Sequence, residues 1–268
     1  LLRQVLPLGE ELADVPGFGD DPVGDREAGA VPGVLRKYRG RALLMVTGAC
    51  AVHCRYCFRR HYPYGAQALR GTETEDAVAW LRRAADVQEV ILSGGDPLVA
   101  SDRRLGALAR ALAGVPNLRR LRIHTRLPVV LPERVTADLL EWLAGGPLTP
   151  VVVIHANHPR ELDGPVAAAL ARMKGAGITL LNQTVLLRGV NDDAAVLAAL
   201  SERLFEQGVL PYYLHALDRV RGAAHFEVAD PRALALHRDL AARLPGYLVP
   251  RLVREVAGAP AKLPLVAP

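Results

Sequence analysis

The sequence contains little cysteine and no long hydrophobic run. Its 268 residues include three cysteines, all within residues 50–57, which excludes a secreted scaffold held by an even set of disulfides. No stretch approaches the roughly 18 consecutive apolar residues of a membrane-spanning helix, and the first residues lack the pattern of a secretory signal. We therefore expect a cytoplasmic protein in a reducing compartment, with no membrane contact.

Aromatic side chains are also scarce, since only 13 residues are Phe, Trp or Tyr. With a mild net charge of +5, the chain lacks the aromatic-rich basic patches of an RNA-binding module. An RNA-binding module with a structural metal is therefore a distant alternative, and we expect no direct contact with nucleic acid. Hydrophobic residues make up 50% of the chain, enough for a sizeable core, so a disordered chain is excluded.

Short apolar runs alternate with amphipathic stretches from about residue 41 onward. This order predicts a parallel sheet, because each parallel pair needs a helical crossover, and repeated right-handed crossovers curl such a sheet into a barrel. We expect an α/β fold, a partial (β/α)6 TIM-like barrel with outer helices. The predicted strands are 42–47, 89–93, 118–124, 150–156, 178–185 and 210–214, and the predicted helices are 74–86, 102–113, 132–144, 159–176 and 193–207.

Three regions are expected along the chain. Residues 1–36 are predicted to be an irregular lead-in, part of a longer N-terminal region, because they are rich in Gly, Pro and Asp and lack an initiator Met. Residues 37–230 form the barrel, and residues 231–268 add a C-terminal helix and segment. Chemistry in such a barrel belongs at the carboxyl ends of the strands. Polar residues follow the predicted strands at Cys50, Ser93, His124, His155, Gln183 and His215.

The cysteines form a CxxxCxxC motif of Cys50, Cys54 and Cys57. Thiolates are soft ligands that favour zinc or iron–sulfur clusters. Zinc would need a fourth ligand, for which His53 or His61 is available. A 4Fe–4S cluster on three cysteines would leave one iron free to bind a small molecule. The spacing alone leaves both metals open.

This motif after the first barrel strand resembles the radical S-adenosylmethionine superfamily. The resemblance implies that the three cysteines bind a 4Fe–4S cluster whose open iron chelates S-adenosylmethionine, and that an electron from the cluster cleaves it to a 5′-deoxyadenosyl radical. It also implies a glycine-rich motif that receives the methionine ammonium and an aromatic residue that packs against adenine. These positions correspond to Ser93, Gly94, Gly95 and Asp96, and to Tyr56.

A narrower resemblance, to the lysine 2,3-aminomutase family, covers about residues 37–264. It rests on residues 54–60, 155–159, 182–192 and 211–215, and residues 50–64 and 214–226 are most similar to the subgroup that makes (R)-β-lysine for elongation factor P. The family implies an isomerase, an intramolecular aminotransferase that moves the α-amino group of L-lysine to C3 with pyridoxal 5′-phosphate. A separate ligase would attach β-lysine to elongation factor P, and a donor such as flavodoxin would supply electrons. A metabolic mutase making free (S)-β-lysine is the alternative, and a homo-oligomer is left open.

The family resemblance also implies roles for individual residues. Lys262 would hold pyridoxal phosphate covalently, Lys37 and Arg41 would contact its phosphate, and His155 and Gln183 would line its pocket. Arg59 would pair with the substrate carboxylate, while Asp218 and Glu255 would receive the side-chain ammonium. Glu255 stands where the mutase has Asp, and Lys37 where it has Arg. The mutase's zinc site lies beyond its pyridoxal lysine, where this chain has no spare cysteine, so we predict no zinc.

Overall fold

The computed structural model describes residues 1–69 and 71–266. Strands and helices alternate along the chain, as the apolar runs predict. The strands are β1 (Gly29–Val31), β2 (Val34–Leu35), β3 (Arg41–Thr47), β4 (Glu89–Gly94), β5 (Arg120–Thr125), β6 (Thr149–Ile154), β7 (Thr179–Val185), β8 (Leu210–His215), β9 (Arg251–Arg254) and β10 (Leu263–Pro264). The helices are α1 (Tyr64–Gln67), α2 (Glu73–Arg83), α3 (Asp102–Ala113), α4 (Leu127–Val130), α5 (Ala137–Ala144), α6 (Gly164–Gly175), α7 (Ala194–Glu206) and α8 (Asp230–Arg243).

All ten strands belong to one sheet, in which they lie in chain order. Strands β3 to β9 pair in parallel, whereas β1 with β2, β2 with β3, and β9 with β10 pair antiparallel. Within the described residues no pairing joins β1 to β10, so the barrel stays open. The expected α/β fold with a partial TIM-like barrel is confirmed. No described helix is long and apolar enough to cross a membrane.

The strands carry different side chains on their two faces because successive residues point to opposite sides. In β5, Leu121 and Ile123 are buried in the main hydrophobic cluster between sheet and helices. Arg122 and His124 on the same strand line an internal cavity. The outer face therefore supplies the apolar burial that stabilises the fold, and the inner face remains available for polar chemistry.

Several helix boundaries are fixed by capping side chains. Thr136 accepts a hydrogen bond from the Leu139 amide, and Asp163 accepts one from the Val166 amide, so α5 and α6 begin directly after these residues. The predicted helices at 132–144 and 159–176 were therefore too long at their N-terminal ends. In both cases a proline, Pro132 or Pro159, starts a separate short 3₁₀ turn before the cap.

Two further differences concern the ends of the barrel. The prediction of irregular chain throughout residues 1–36 was wrong for β1 and β2, which form a hairpin that adds to β3. These strands are too short for their period to be visible in a region rich in glycine and proline. The apolar run after α8 forms β9, which extends the parallel sheet beyond the six predicted strands.

Candidate active site

A cavity of about 250 Å³ runs through the inside of the open barrel. It extends from the loops at the carboxyl ends of the strands down to Arg41 at the start of β3. Every residue for which the sequence predicts a site role lines it. These are Lys37, Arg41, Cys50, Cys54, Tyr56, Cys57, Arg59, Ser93, Gly94, Gly95, Asp96, His155, Gln183, Asp218, Glu255 and Lys262.

The three cysteines lie on the loop that follows β3. All are free and partly buried. Burial, together with the neighbouring thiols and Asp96, raises the pKa of Cys50 to about 12, and burial also raises that of Cys57 to about 11. Such thiols ionise at neutral pH only when a metal stabilises the thiolate.

The three thiols of this loop are the donor type that an iron–sulfur cluster uses. No group of three or more His, Cys, Asp or Glu side chains in the described part of the chain is arranged to hold one metal ion. A 4Fe–4S cluster does not need such an arrangement, because each of its thiolate ligands binds a different iron. The donor set of Cys50, Cys54 and Cys57 at one cavity is therefore compatible with a cluster.

The glycine-rich motif after β4 packs directly against the cysteine loop. The Gly95 amide donates to the Thr47 carbonyl at 2.7 Å, and the Asp96 amide donates to the Ala49 carbonyl at 2.9 Å. Gly94 has a φ of +120°, and a Cβ there would lie 2.5 Å from the Thr47 carbonyl oxygen. Glycine is thus required at this position by both conformation and space.

The Asp96 carboxylate is used within the protein. It accepts hydrogen bonds from the Thr125 hydroxyl at 2.7 Å and from the amides of Leu98, Arg126 and Leu127 at 2.7–3.1 Å. These four bonds occupy the lone pairs of both oxygens. The Asp96 side chain therefore supports the glycine motif and the loop after β5.

Arg126, at the end of β5, contacts the cysteine motif from the other side. Its guanidinium donates to the Cys54 sulfur at 2.9 Å and to Glu161 at 2.7 Å, and it lies 5.9 Å from the centre of the Tyr56 ring. The Tyr56 hydroxyl accepts a hydrogen bond from Asn157 at 2.7 Å, so the ring is held at the cavity wall. The sequence offered one signal for Arg126, its position after the third barrel strand.

In another part of the cavity, Glu255 is surrounded by positively charged side chains. Its carboxylate pairs with the ammonium groups of both Lys37 and Lys262. Burial alone would favour the protonated acid, but the two ammonium groups lower the pKa of Glu255 to about 2. In Asp218, by contrast, burial and the nearby Glu255 charge raise the pKa to about 7. The two acids thus differ in charge near neutral pH.

Three histidines face the same cavity: His124 on β5, His215 on β8, and His155 directly after β6. The Nε2 atoms of His124 and His155 are buried and have no hydrogen-bond partner within the described residues. Burial lowers the pKa of His155 to about 4 and that of His124 well below its ordinary value, so both rings are neutral. The Gln183 amide lies 3.3 Å from His215 Nε2. Buried nitrogens in proteins generally have a hydrogen-bond partner, so these two imidazoles fit a bound polar group in the cavity.

Comparison with known proteins agrees with this geometry. The family model of the radical SAM superfamily matches residues 44–200. In structure, the chain resembles a radical SAM methyltransferase from Sphaerobacter thermophilus, with a TM-score of 0.57, 19% identity and coverage of 82% of this chain and 68% of that one. It also resembles Streptococcus suis SuiB bound to S-adenosylmethionine, with a TM-score of 0.58, 11% identity and coverage of 82% and 48%. The protein is therefore a radical SAM enzyme.

Sequence relatives narrow the family further. The chain is 48% identical over 262 residues to L-lysine 2,3-aminomutase of Haemophilus influenzae, covering 98% of this chain and 78% of that protein. It is 49% identical over 265 residues to L-lysine 2,3-aminomutase of Escherichia coli, covering 99% and 77%. The chain belongs to the L-lysine 2,3-aminomutase family and is an isomerase. Its superfamily implies a 4Fe–4S cluster and S-adenosylmethionine, which decides between the metals that the cysteine spacing left open.

Proposed function

We propose that this chain isomerises L-α-lysine to (R)-β-lysine, using S-adenosylmethionine and pyridoxal phosphate, and that the product serves the β-lysylation of elongation factor P. The observation that carries the reaction is one cavity that holds both a three-cysteine motif and a partly buried lysine, Lys262. A radical generator and a carrier for the migrating nitrogen are both needed for a 1,2-amino shift. The residues predicted to bind these two groups line this one cavity.

Cys50, Cys54 and Cys57 would hold the cluster, and the backbone of Gly94 and Gly95 would face the amino acid part of S-adenosylmethionine. The cluster and S-adenosylmethionine supply a 5′-deoxyadenosyl radical when bound. The chain would pack the cysteine loop closely against the glycine motif, and the wall of the barrel would exclude water. Shielding of this kind protects reactive species from side reactions.

Lys262 would hold pyridoxal phosphate, which supplies an imine that carries the migrating nitrogen. In this structure the Lys262 ammonium pairs with Glu255, which places the proposed attachment point next to an acid of the cavity. The carboxylates of Glu255 and Asp218 are the groups proposed to receive the side-chain ammonium of the substrate. Lys37 and Arg41 are the cations proposed for the phosphate, and the neutral His155 and Gln183 would contact the rest of the cofactor.

The link to elongation factor P depends on the similarity of residues 50–64 and 214–226 to that subgroup. The same proposal includes lysine as the free substrate, a ligase that uses the product, and an electron donor such as flavodoxin. A metabolic enzyme that makes (S)-β-lysine is the alternative. Glu255 is one methylene longer than Asp, and we propose that this length bears on the face of the substrate that reacts.

The test uses anaerobically reconstituted protein, reduced and incubated with lysine, S-adenosylmethionine and pyridoxal phosphate. Chiral separation should yield (R)-β-lysine, whereas (S)-β-lysine would favour the metabolic alternative and no β-lysine would refute the activity. If Glu255→Asp leaves the product enantiomer unchanged, the role proposed for its length is wrong.

The lysine role has its own test because the chain has only three lysines. Borohydride reduction should trap pyridoxal phosphate on Lys262, and peptide mapping should locate it. Lys262→Ala should abolish the trapped adduct. Lys174→Ala is the matched control, since Lys174 lies exposed near the end of α6, and it should label like the parent protein. Equal labelling of both variants would contradict the assignment.

A further inference from the structure

Asp25 is a buried acid in the loop before β1 that the sequence analysis did not assign. It is 1% exposed, although it lies in a segment rich in glycine, proline and aspartate. The loop holds itself in place, because the amides of Asp25 and Arg26 donate to the Asp21 carboxylate at 2.9 and 3.0 Å. Gly24 precedes it with a φ of +69°, and this turn directs the Asp25 side chain inward.

The carboxylate of Asp25 joins two cations of the active-site cavity. Its Oδ1 accepts from the Lys37 ammonium at 3.0 Å, and its Oδ2 accepts from Nε of Arg59 at 2.6 Å. Lys37 and Arg59 both line the cavity, and both are mostly buried. Asp25 therefore holds two cations from behind the cavity wall. These are Lys37, which is proposed for the phosphate, and Arg59, which is proposed for the substrate carboxylate.

The contact at Nε determines which edge of the Arg59 guanidinium is available. A guanidinium binds a carboxylate with two parallel hydrogen bonds, either through Nε and one Nη or through both Nη atoms. Asp25 occupies Nε, Nη1 donates to the Ser93 hydroxyl at 3.2 Å, and the group lies 4.7 Å from the centre of the Phe58 ring. The plane is therefore held. Because Asp25 takes the Nε edge, a second carboxylate would bind at the edge formed by the two Nη atoms, where Nη1 has one N–H besides the one bonded to Ser93.

We propose that Asp25 is a positioning residue that presents the Nη edge of Arg59 to the substrate carboxylate. The inference rests on the proposed function, in which Arg59 receives that carboxylate. Without the Asp25 charge, the guanidinium could rotate about its side-chain torsions or turn toward another acid of the cavity. The bidentate contact would then be populated only part of the time.

The experiment measures lysine and lysinamide binding to reconstituted holoenzyme by calorimetry, and KM and kcat for lysine. Asp25→Asn should weaken lysine binding and raise KM about 10- to 100-fold, the range expected for loss of a well-aligned charged contact, with a smaller effect on kcat. Lysinamide lacks the carboxylate, so its affinity should change much less. Asp86→Asn, which breaks the exposed ion pair with Arg36, is the control and should leave both affinities unchanged.

A double variant separates positioning from general damage. In an Arg59→Lys background there is no Nε for Asp25 to hold, so Asp25→Asn should have little further effect on lysine affinity. If Asp25→Asn fails to fold, Asp25→Glu is measured by the same lysine-to-lysinamide comparison. Equal losses for both ligands, or an undiminished effect in the Arg59→Lys background, would overturn the proposal. Wild-type protein that binds lysine but makes no β-lysine would refute the proposed function alone.

Discussion

Replacement of Gly95 by alanine tests whether the glycine motif holds the cysteine loop. A Cβ at Gly95 would lie 2.8 Å from the carbonyl carbons of Gly48 and Ala49, whereas carbon atoms pack best at about 3.5–4.0 Å. The backbone must therefore separate, because both obstacles are main-chain atoms. The shift would also stretch the two hydrogen bonds that the Gly95 and Asp96 amides donate to the loop before Cys50.

The expected loss of stability follows from these contacts. Overpacking costs about 1–3 kcal/mol, and each stretched hydrogen bond adds about 1 kcal/mol. A total of about 3–5 kcal/mol corresponds to a fall in melting temperature of at least about 6 °C for a domain of this size. Because the displaced loop carries Cys50, Cys54 and Cys57, iron binding should fall as well.

The assay is a thermal melt of the anaerobic protein together with its iron content, expected at about four irons per chain for the parent. Gly175→Ala is the matched control, since a Cβ at Gly175 in α6 would meet no atom within 4 Å. Alanine is the better helix former, so this control should melt at the same temperature or higher. If Gly95→Ala retained the iron content of the parent protein and melted at the same temperature as Gly175→Ala, the packing argument would be refuted.

Two further predictions concern buried charges. Burial raises the pKa of Asp218 from 3.8 to about 7, so the folded state binds the extra proton between these values and stability falls as pH rises through that window. Asp218→Asn should therefore melt increasingly above the parent as the pH is raised from about 4 to about 7, and a constant difference in melting temperature would contradict the shift. Arg126→Ala would leave the buried Glu161 carboxylate without its cation, which should cost about 3–5 kcal/mol in urea unfolding. Glu161→Gln in the same background should recover part of this loss, and failure to do so would exclude an unpaired charge as its cause.

Much of the fold was predictable because its signals are local. Each parallel strand is a short apolar run, and its helix carries an amphipathic pattern with a capping residue such as Ser101 or Asp163. The hairpin β1–β2 was missed because strands of two or three residues have no readable period. The same limit applies to the four-residue helix α4, which is separated from β5 by Arg126 alone and contains Pro128.

The candidate site was predictable where its residues follow strands or belong to a spaced motif. The position of His155 and Gln183 at the cavity was predictable because a barrel brings strand ends together. Asp25 was missed because its neighbours in the sequence give no signal that distinguishes it from Asp20 or Asp21 in the same loop. Only its position after a strand could have pointed to Arg126, since its partners Gln4 and Glu161 come from other parts of the chain.

The sequence by itself determined the alternation of strands and helices, the three-cysteine motif and the family, because these depend on residue type and short spacing. Only the tertiary structure decided which charges meet. Lys37 and Glu255 are 218 residues apart and form an ion pair, and Asp25 reaches Arg59 across 34 residues. Electrostatic energy depends on distance and burial, and both are set by the folded chain rather than by neighbours in sequence.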